Sequence, residues 1–196
     1  MIKTHLAIME ELKDYSSPRA RLTRLLKTGE LIQIRRGLFV DAPSVSRKVL
    51  ASIVYGPSYI SFEYALSAAG LIPERVEVVT SACFNKNRNK IFRTPLGEFR
   101  YFYLPDLVYP YGIRLQEDDS MSYLMASGEK ALCDAVYKVP AVATVSAMER
   151  LLLEDWRMER EDLVNLDQTF ITWIAPMYRR KSLLALAAWF EKEGLQ

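Results

Sequence analysis

Ile2, Leu6, Met9 and Leu12 recur every three to four residues. That is the spacing of one buried helix face, and it predicts an amphipathic helix ending near Asp14 to Ser17. A second helix follows. Ser17 suits its N-cap, Pro18 its first turn, where the N–H that proline lacks would be unpaired anyway, and Gly29 the left-handed position after its end. Leu22, Leu25 and Leu26 form its apolar face. The next segment, LIQIRRGLFV, is rich in β-formers and is interrupted by Arg35, Arg36 and Gly37, which predicts two short strands about a turn.

The pattern then changes. GPSYISFEYALSAAGLIPE opens on the breakers Gly56 and Pro57, offers Ser61 as an N-cap, and carries Phe62, Ala65, Leu66 and Ala69 on one helix face up to Gly70. VEVVTSACF reads as a buried strand, and IFRTPLGEFRYFYLP, with Pro95 and Gly97 between two β-prone runs, as a hairpin. Alternation along that hairpin buries about half of Phe99, Tyr101, Phe102 and Tyr103, so core packing is favoured over base stacking. Ser127 precedes a helix through GEKALCDAVY with Leu132, Ala135 and Val136 inward. From Ser146 to Gly194 the pattern is helical, with Ser146 and Glu149 spaced as a capping box. The apolar run Leu183 to Phe190 near its end must be buried against the rest of the chain or a partner. The fold class expected is α+β: a short winged helix-turn-helix over residues 1–43, then a domain over 44–196 with a mixed α/β middle and C-terminal helices.

Charge sharpens this picture. The 196 residues carry 26 Lys and Arg against 24 Asp and Glu, a net +2. This near balance hides a gradient of +5 over residues 1–50, +2 over 51–114 and −5 over 115–196, counted from the sequence. Residues 16–40 hold Arg19, Arg21, Arg24, Lys27, Arg35 and Arg36 against the one acid Glu30. A turn of 100° per residue places Ala20, Arg21, Thr23, Arg24 and Lys27 away from the leucines, with Arg19 at the edge. Helix, basic helix and arginine-tipped hairpin form the order of parts in a winged helix. Its second helix enters a major groove and its hairpin reaches nearby phosphates. Arg21 and Arg24 suit guanine edges, with Ala20 and Thr23 close by, while Arg19, Lys27, Arg35 and Arg36 suit phosphates.

GELIQIRRGLFV, PSYISFEYALSAAGLIPE, VVTSACFNKNRNK with FRTPLGEFRYFYL, and SGEKALCDAVY together resemble the AbiEi family of antitoxins and transcriptional regulators, over roughly residues 16–140. The stretch Tyr59 to Pro73 and the run Glu129-Lys130-Ala131-Leu132 are the more specific parts. The resemblance implies a cytoplasmic bacterial regulator that binds operator DNA through its N-terminal domain. It also implies a functional pairing with an AbiEii-type nucleotidyltransferase toxin in a type IV toxin-antitoxin system. Only about 15 residues precede Ser16, where family members usually have another helix. A unit this small has little core of its own and calls for support from the larger domain or a second subunit, as in a homodimer. The last 50 residues match nothing in the resemblance.

A second basic cluster, Lys86, Arg88, Lys90 and Arg93, is interleaved with asparagines after a strand. Phosphate contact and a solvated loop are both open readings of it. Two cysteines 50 residues apart, Cys83 and Cys133, and a single histidine, His5, supply neither zinc spacing nor a triad, so no metal or cofactor is expected. No apolar run reaches membrane-spanning length and no secretory leader is recognisable. Two other classes stand beside the DNA-binding one. A metal-dependent nucleic-acid enzyme would need converging carboxylates. Glu117, Asp118 and Asp119 in a polar linker-like stretch, Glu129 with Asp134, and Glu154 with Asp155 do not supply them. A protein-interaction module would use the acidic C-terminal part, with the basic helix merely solubilising.

Overall fold

The computed structural model describes residues 1–41, 43–118 and 121–194, over which the chain is mixed α+β, with two sheets and a set of mostly short helices. Strand β1 (Ile2–Thr4) pairs antiparallel with β3 (Leu38–Val40), Ile2 lying opposite Val40. This pairing decides where the first helix starts. Thr4 caps α1 (His5–Glu11), its hydroxyl accepting from the Ala7 N–H at 3.2 Å. The buried face is therefore Ile8 and Leu12, while Leu6 is 80 % exposed and Ile2 belongs to the sheet, which corrects the expected first-helix face. Helical spacing alone could not register that the first residues are claimed by a strand 36 residues away in sequence.

Helix α2 (Pro18–Thr28) has the bounds the sequence predicts, with Pro18 in its first turn and Gly29 left-handed at φ 76°. Ser17 makes no side-chain capping bond. Strands β2 (Ile32–Arg35) and β3 form the hairpin around Arg36 and Gly37, whose φ of 79° requires glycine. The order in this small sheet is β1-β3-β2. Its central strand is buried on both faces. Phe39 packs with Ile8, Leu12, Leu22 and Leu31 under α1 and α2. Leu38 and Val40 point the other way, with Ile34, onto Val49, Leu50 and Val54 of α3 (Arg47–Val54) and onto the large sheet. Residues 1–41 and the rest of the chain thus share a core.

The large sheet has the order β6-β7-β5-β4-β9-β8. Antiparallel hairpins form its two edges: β6 (Lys90–Thr94) with β7 (Gly97–Tyr103), and β8 (Ile113–Asp118) with β9 (Met121–Ala126). Between them β5 (Val79–Cys83) runs parallel to β7 and antiparallel to β4 (Ser58–Ile60), which runs parallel to β9. The β6/β7 hairpin and β5 were legible as strands; β4, β8 and β9 were not. The stretch of Glu117 and Asp118, read as a linker, is an edge strand. Its side chains are mostly exposed while its backbone is satisfied by β9, so its composition looks like a loop. Asp119 lies outside the described residues.

One sheet face carries Ile60, Val79, Phe99 and Tyr101 and is covered by α3 and the small sheet. The other carries Tyr59 and Ala82 and is covered by α4 (Phe62–Ala68), α5 (Gly128–Lys138) and the C-terminal helices. These are α6 (Val145–Arg150), a π-turn (Leu151–Asp155), α7 (Arg160–Val164), α8 (Gln168–Ile174), a 3-10 turn (Ala175–Tyr178) and α9 (Lys181–Glu193). The cap of α6 is Thr144, accepting from the Ala147 N–H at 3.2 Å, not Ser146; Glu149 instead takes the Arg160 guanidinium at 2.6 Å. In α9, Leu183, Leu186, Trp189 and Phe190 are fully buried in the chain's own core, and of the run 183–190 only Leu184 is markedly exposed.

At the centre of this second core lies a buried ion pair. The Lys130 ammonium donates to Asp134 Oδ1 at 2.6 Å and to the Tyr178 hydroxyl at 2.7 Å. Tyr59 and Ser61 donate to Asp134 Oδ2 at 3.0 and 2.7 Å. Burial raises the phenols of Tyr59 and Tyr178 well above their ordinary range, so both stay protonated donors. Lys130→Met or Asp134→Asn alone, by leaving one charge buried without its partner, should destabilise the protein by about 3–5 kcal/mol in urea unfolding. The double variant should cost less than the sum of the two. Additive losses would show that the two groups are not coupled as the geometry requires.

Candidate nucleic-acid interface

Pro18 and Gly29 set the ends of α2, and Leu22 anchors it, so its polar residues are held at the surface. Arg19, Ala20, Thr23, Arg24 and Lys27 are exposed. Arg21 differs from the expectation of a free cation on that face. It is half-buried, its guanidinium carbon lies 5.5 Å from the centre of the Tyr15 ring, and its Nε is buried with no hydrogen-bond partner. Thr23 also spends its hydroxyl on the Arg19 carbonyl, at 3.0 Å. Arg19, Arg24 and Lys27 are thus the cations of α2 that project most freely.

At the hairpin turn Arg35 and Arg36 are both exposed. Arg35 is steadied by the Arg36 carbonyl at 3.2 Å and more loosely by the Ile53 carbonyl at 3.5 Å, which ties the turn to the end of α3. Strand β2 lies against β6, the edge strand that bears the second basic cluster. There the loop 85–89 and the start of β6 border an open pocket of about 450 Å³ lined by Tyr55, Lys86, Arg88, Lys90, Tyr103 and Asp106, with Asn85 and Asn87. Lys86 sits 5.5 Å over the Tyr55 ring, and the Asn89 side-chain oxygen accepts from the Tyr103 N–H at 3.1 Å. Arg93, the fourth member expected, is instead engaged with Glu98 at 3.1 Å. The Cys83 thiol beneath this loop is pushed up to about 12 by burial, with Lys86 opposing, and stays neutral.

Counter-charges separate these residues from many of the other cations, although Arg114, Arg179, Arg180, Lys181 and Lys192 also have no acidic partner among the described residues. Lys3, Arg47, Lys48, Arg93, Arg100, Lys138, Arg157 and Arg160 each face a carboxylate. Arg19, Arg21, Arg24, Lys27, Arg35, Arg36, Lys86, Arg88 and Lys90 have no acidic partner among the described residues. An arrangement of this kind attracts anions, because its field is not cancelled locally.

The carboxylates weighed for metal chemistry do not converge. Asp134 is inside the Lys130 pair, Asp118 holds Ser46 at 2.8 Å and Lys48 at 3.2 Å, and Glu129 accepts from the Asp167 N–H. Among the described residues no group of three or more His, Cys, Asp and Glu could hold a metal ion. Among the described residues no helix is long and apolar enough to cross a membrane. Tyr15 and Tyr55 are contributors that sequence reasoning missed, and Tyr103, grouped there with core-packing aromatics, is exposed at the pocket. Each lies outside the charged runs, and no spacing rule links a tyrosine to a cation brought beside it by tertiary structure.

No protein-family model and no curated protein matches the chain.

The different settings of Arg21 and Arg24 have a consequence for stability. Arg21→Ala should cost about 0.5–1 kcal/mol through the lost stacking on Tyr15. Arg24→Ala should stay within about 0.5 kcal/mol, as exposed unpaired residues do. Thermal unfolding of the two variants checks this, and equal effects would contradict the placement of Arg21.

Proposed function

We propose that the protein is a DNA-binding transcriptional regulator of the AbiEi antitoxin type, which represses its own operon and counteracts a nucleotidyltransferase-like toxin. The order β1-α1-α2-β2-β3, with the strand order β1-β3-β2, supports a winged-helix reading of residues 1–41. In this reading α2 enters the major groove and the β2/β3 turn lies along the backbone. The observation that carries the reading is the concentration of unneutralised cations on α2 and the hairpin turn, while cations elsewhere in the fold mostly face carboxylates. Arg24 is the principal base-reading residue, since a guanidinium matches guanine O6 and N7, and Ala20 and Thr23 lie on the same exposed face. Arg21 contributes from beside Tyr15. Arg19, Lys27, Arg35 and Arg36 hold phosphates and position the helix. The toxin pairing and a cytoplasmic location rest on the family resemblance alone.

A salt titration of binding to duplex DNA from upstream of the gene tests this. With about five phosphates neutralised, log affinity should fall against log salt with a slope near −4.5, roughly 500-fold between 50 and 200 mM. Arg24→Ala should cost about 1–3 kcal/mol and relax preference at one base pair, whereas Lys27→Ala should weaken all sequences alike and flatten the slope by about one unit. Arg35→Ala with Arg36→Ala should likewise weaken all sequences by similar factors. A flat salt response would mean that this charge serves solubility or a protein partner.

A further inference from the structure

The basic pocket beside β6 belongs neither to α2 nor to the hairpin, yet the fold joins it to both. The link runs through the end of α3. Arg35 of the hairpin reaches the Ile53 carbonyl, and Tyr55, two residues on, forms the pocket wall beneath the Lys86 ammonium. Tyr55 is locked from behind by Phe92 and Tyr101, ring centres 5.7 and 5.3 Å away, and Tyr101 donates to the Ala51 carbonyl at 2.6 Å. Asn89 pins the far side of the loop to the end of β7. The pocket and the hairpin turn are therefore mounted on one packed unit.

We propose that the loop and edge strand carrying Lys86, Arg88 and Lys90 bind backbone phosphates of the same DNA beyond the point where the hairpin turn meets it, so that the contact surface spans both sheets. This rests on the DNA-binding reading above and extends it. Three cations without acidic partners face one acid, Asp106, in the pocket, leaving an excess of two positive charges. The side chains are of the types that contact phosphate: a guanidinium, two ammonium groups and asparagine amides. Asn85, Asn87, Arg88, Lys90 and Tyr103 of its lining are exposed, so an extended strand passing along the sheet edge can reach them. A surface that continues past the hairpin also adds contact area to a recognition unit that has only two helices.

The experiment uses the full chain and a Lys86→Ala, Arg88→Ala, Lys90→Ala variant, with circular dichroism to confirm that both fold. Binding is measured on a duplex of about 12 base pairs, long enough for little more than one helical turn, and on one of about 30. On the long duplex the variant should lose affinity, and its salt slope should flatten by about two to three units, one for each phosphate contact removed. On the short duplex the two proteins should differ far less. A third arm adds inorganic phosphate or ATP to the wild type and the variant without DNA. Wild-type binding that is lost in the variant, together with an unchanged slope on the long duplex, would assign the pocket to a free phosphorylated ligand and overturn the proposal. Identical behaviour of the two proteins on the long duplex would also overturn it, while leaving α2 and the hairpin as the DNA contact. A wild type whose binding does not respond to salt on either duplex would remove the underlying DNA reading as well.

Discussion

Strand β3 is buried on both faces, and this constraint holds the molecule together. Phe39 belongs to the small core beneath α1 and α2, whereas Leu38 and Val40 belong to the core shared with α3 and the large sheet. Three residues therefore serve two layers, and neither layer can move without disturbing the other, because packed interiors leave no free volume for sliding. On one edge of β3 lies β1, which sets the start of α1; on the other lies β2, which brings the arginine turn against β6. The basic helix and the basic loop owe their fixed relation to that one strand.

Charge follows the same architecture. The large body neutralises many of its cations with carboxylates across short distances, as in Lys138 with Glu63 and Arg160 with Glu149. Such exposed pairs add little to stability, but they cancel the local field. The β2/β3 turn, α2 and the loop above β6 lack these partners among the described residues. A protein of net +2 thereby presents a strongly basic region without being basic as a whole.

The two stretches that carry the family resemblance most specifically meet inside the core. Tyr59 and Ser61 come from PSYISFEYALS, and Lys130 and Asp134 from SGEKALCDAVY, and together with Tyr178 they form one closed hydrogen-bonded network. Each of its side chains has at least one hydrogen-bond partner inside the network, which is the condition under which a buried ion pair is tolerated. These residues thus have a structural reason to occur together that is separate from any surface that meets DNA. Ser61 illustrates the competition: its hydroxyl serves Asp134 and so makes no cap for α4.

Local chemistry in the sequence determined the bounds of α2, the arginine hairpin, strand β5, the β6/β7 hairpin, the Ser127 cap of α5 and the burial of the C-terminal apolar run. Each depends on signals within a few residues: proline at a first turn, glycine at positive φ, a hydroxyl before a helix, an apolar period. It also located the exposed basic residues of α2 other than Arg21, since a leucine face implies its opposite. Tertiary structure decided what depended on distant partners. Pairing of Ile2 with Val40 moved the start of α1 and turned Leu6 outward. Pairing with β9 made an edge strand of a stretch whose composition looks like a loop. Tyr15 drew in Arg21, Glu98 engaged Arg93, and the end of α3 joined the hairpin to the loop above β6. Backbone pairing and side-chain contact across tens of residues leave no periodic trace in the chain, so these features became visible only in the folded molecule.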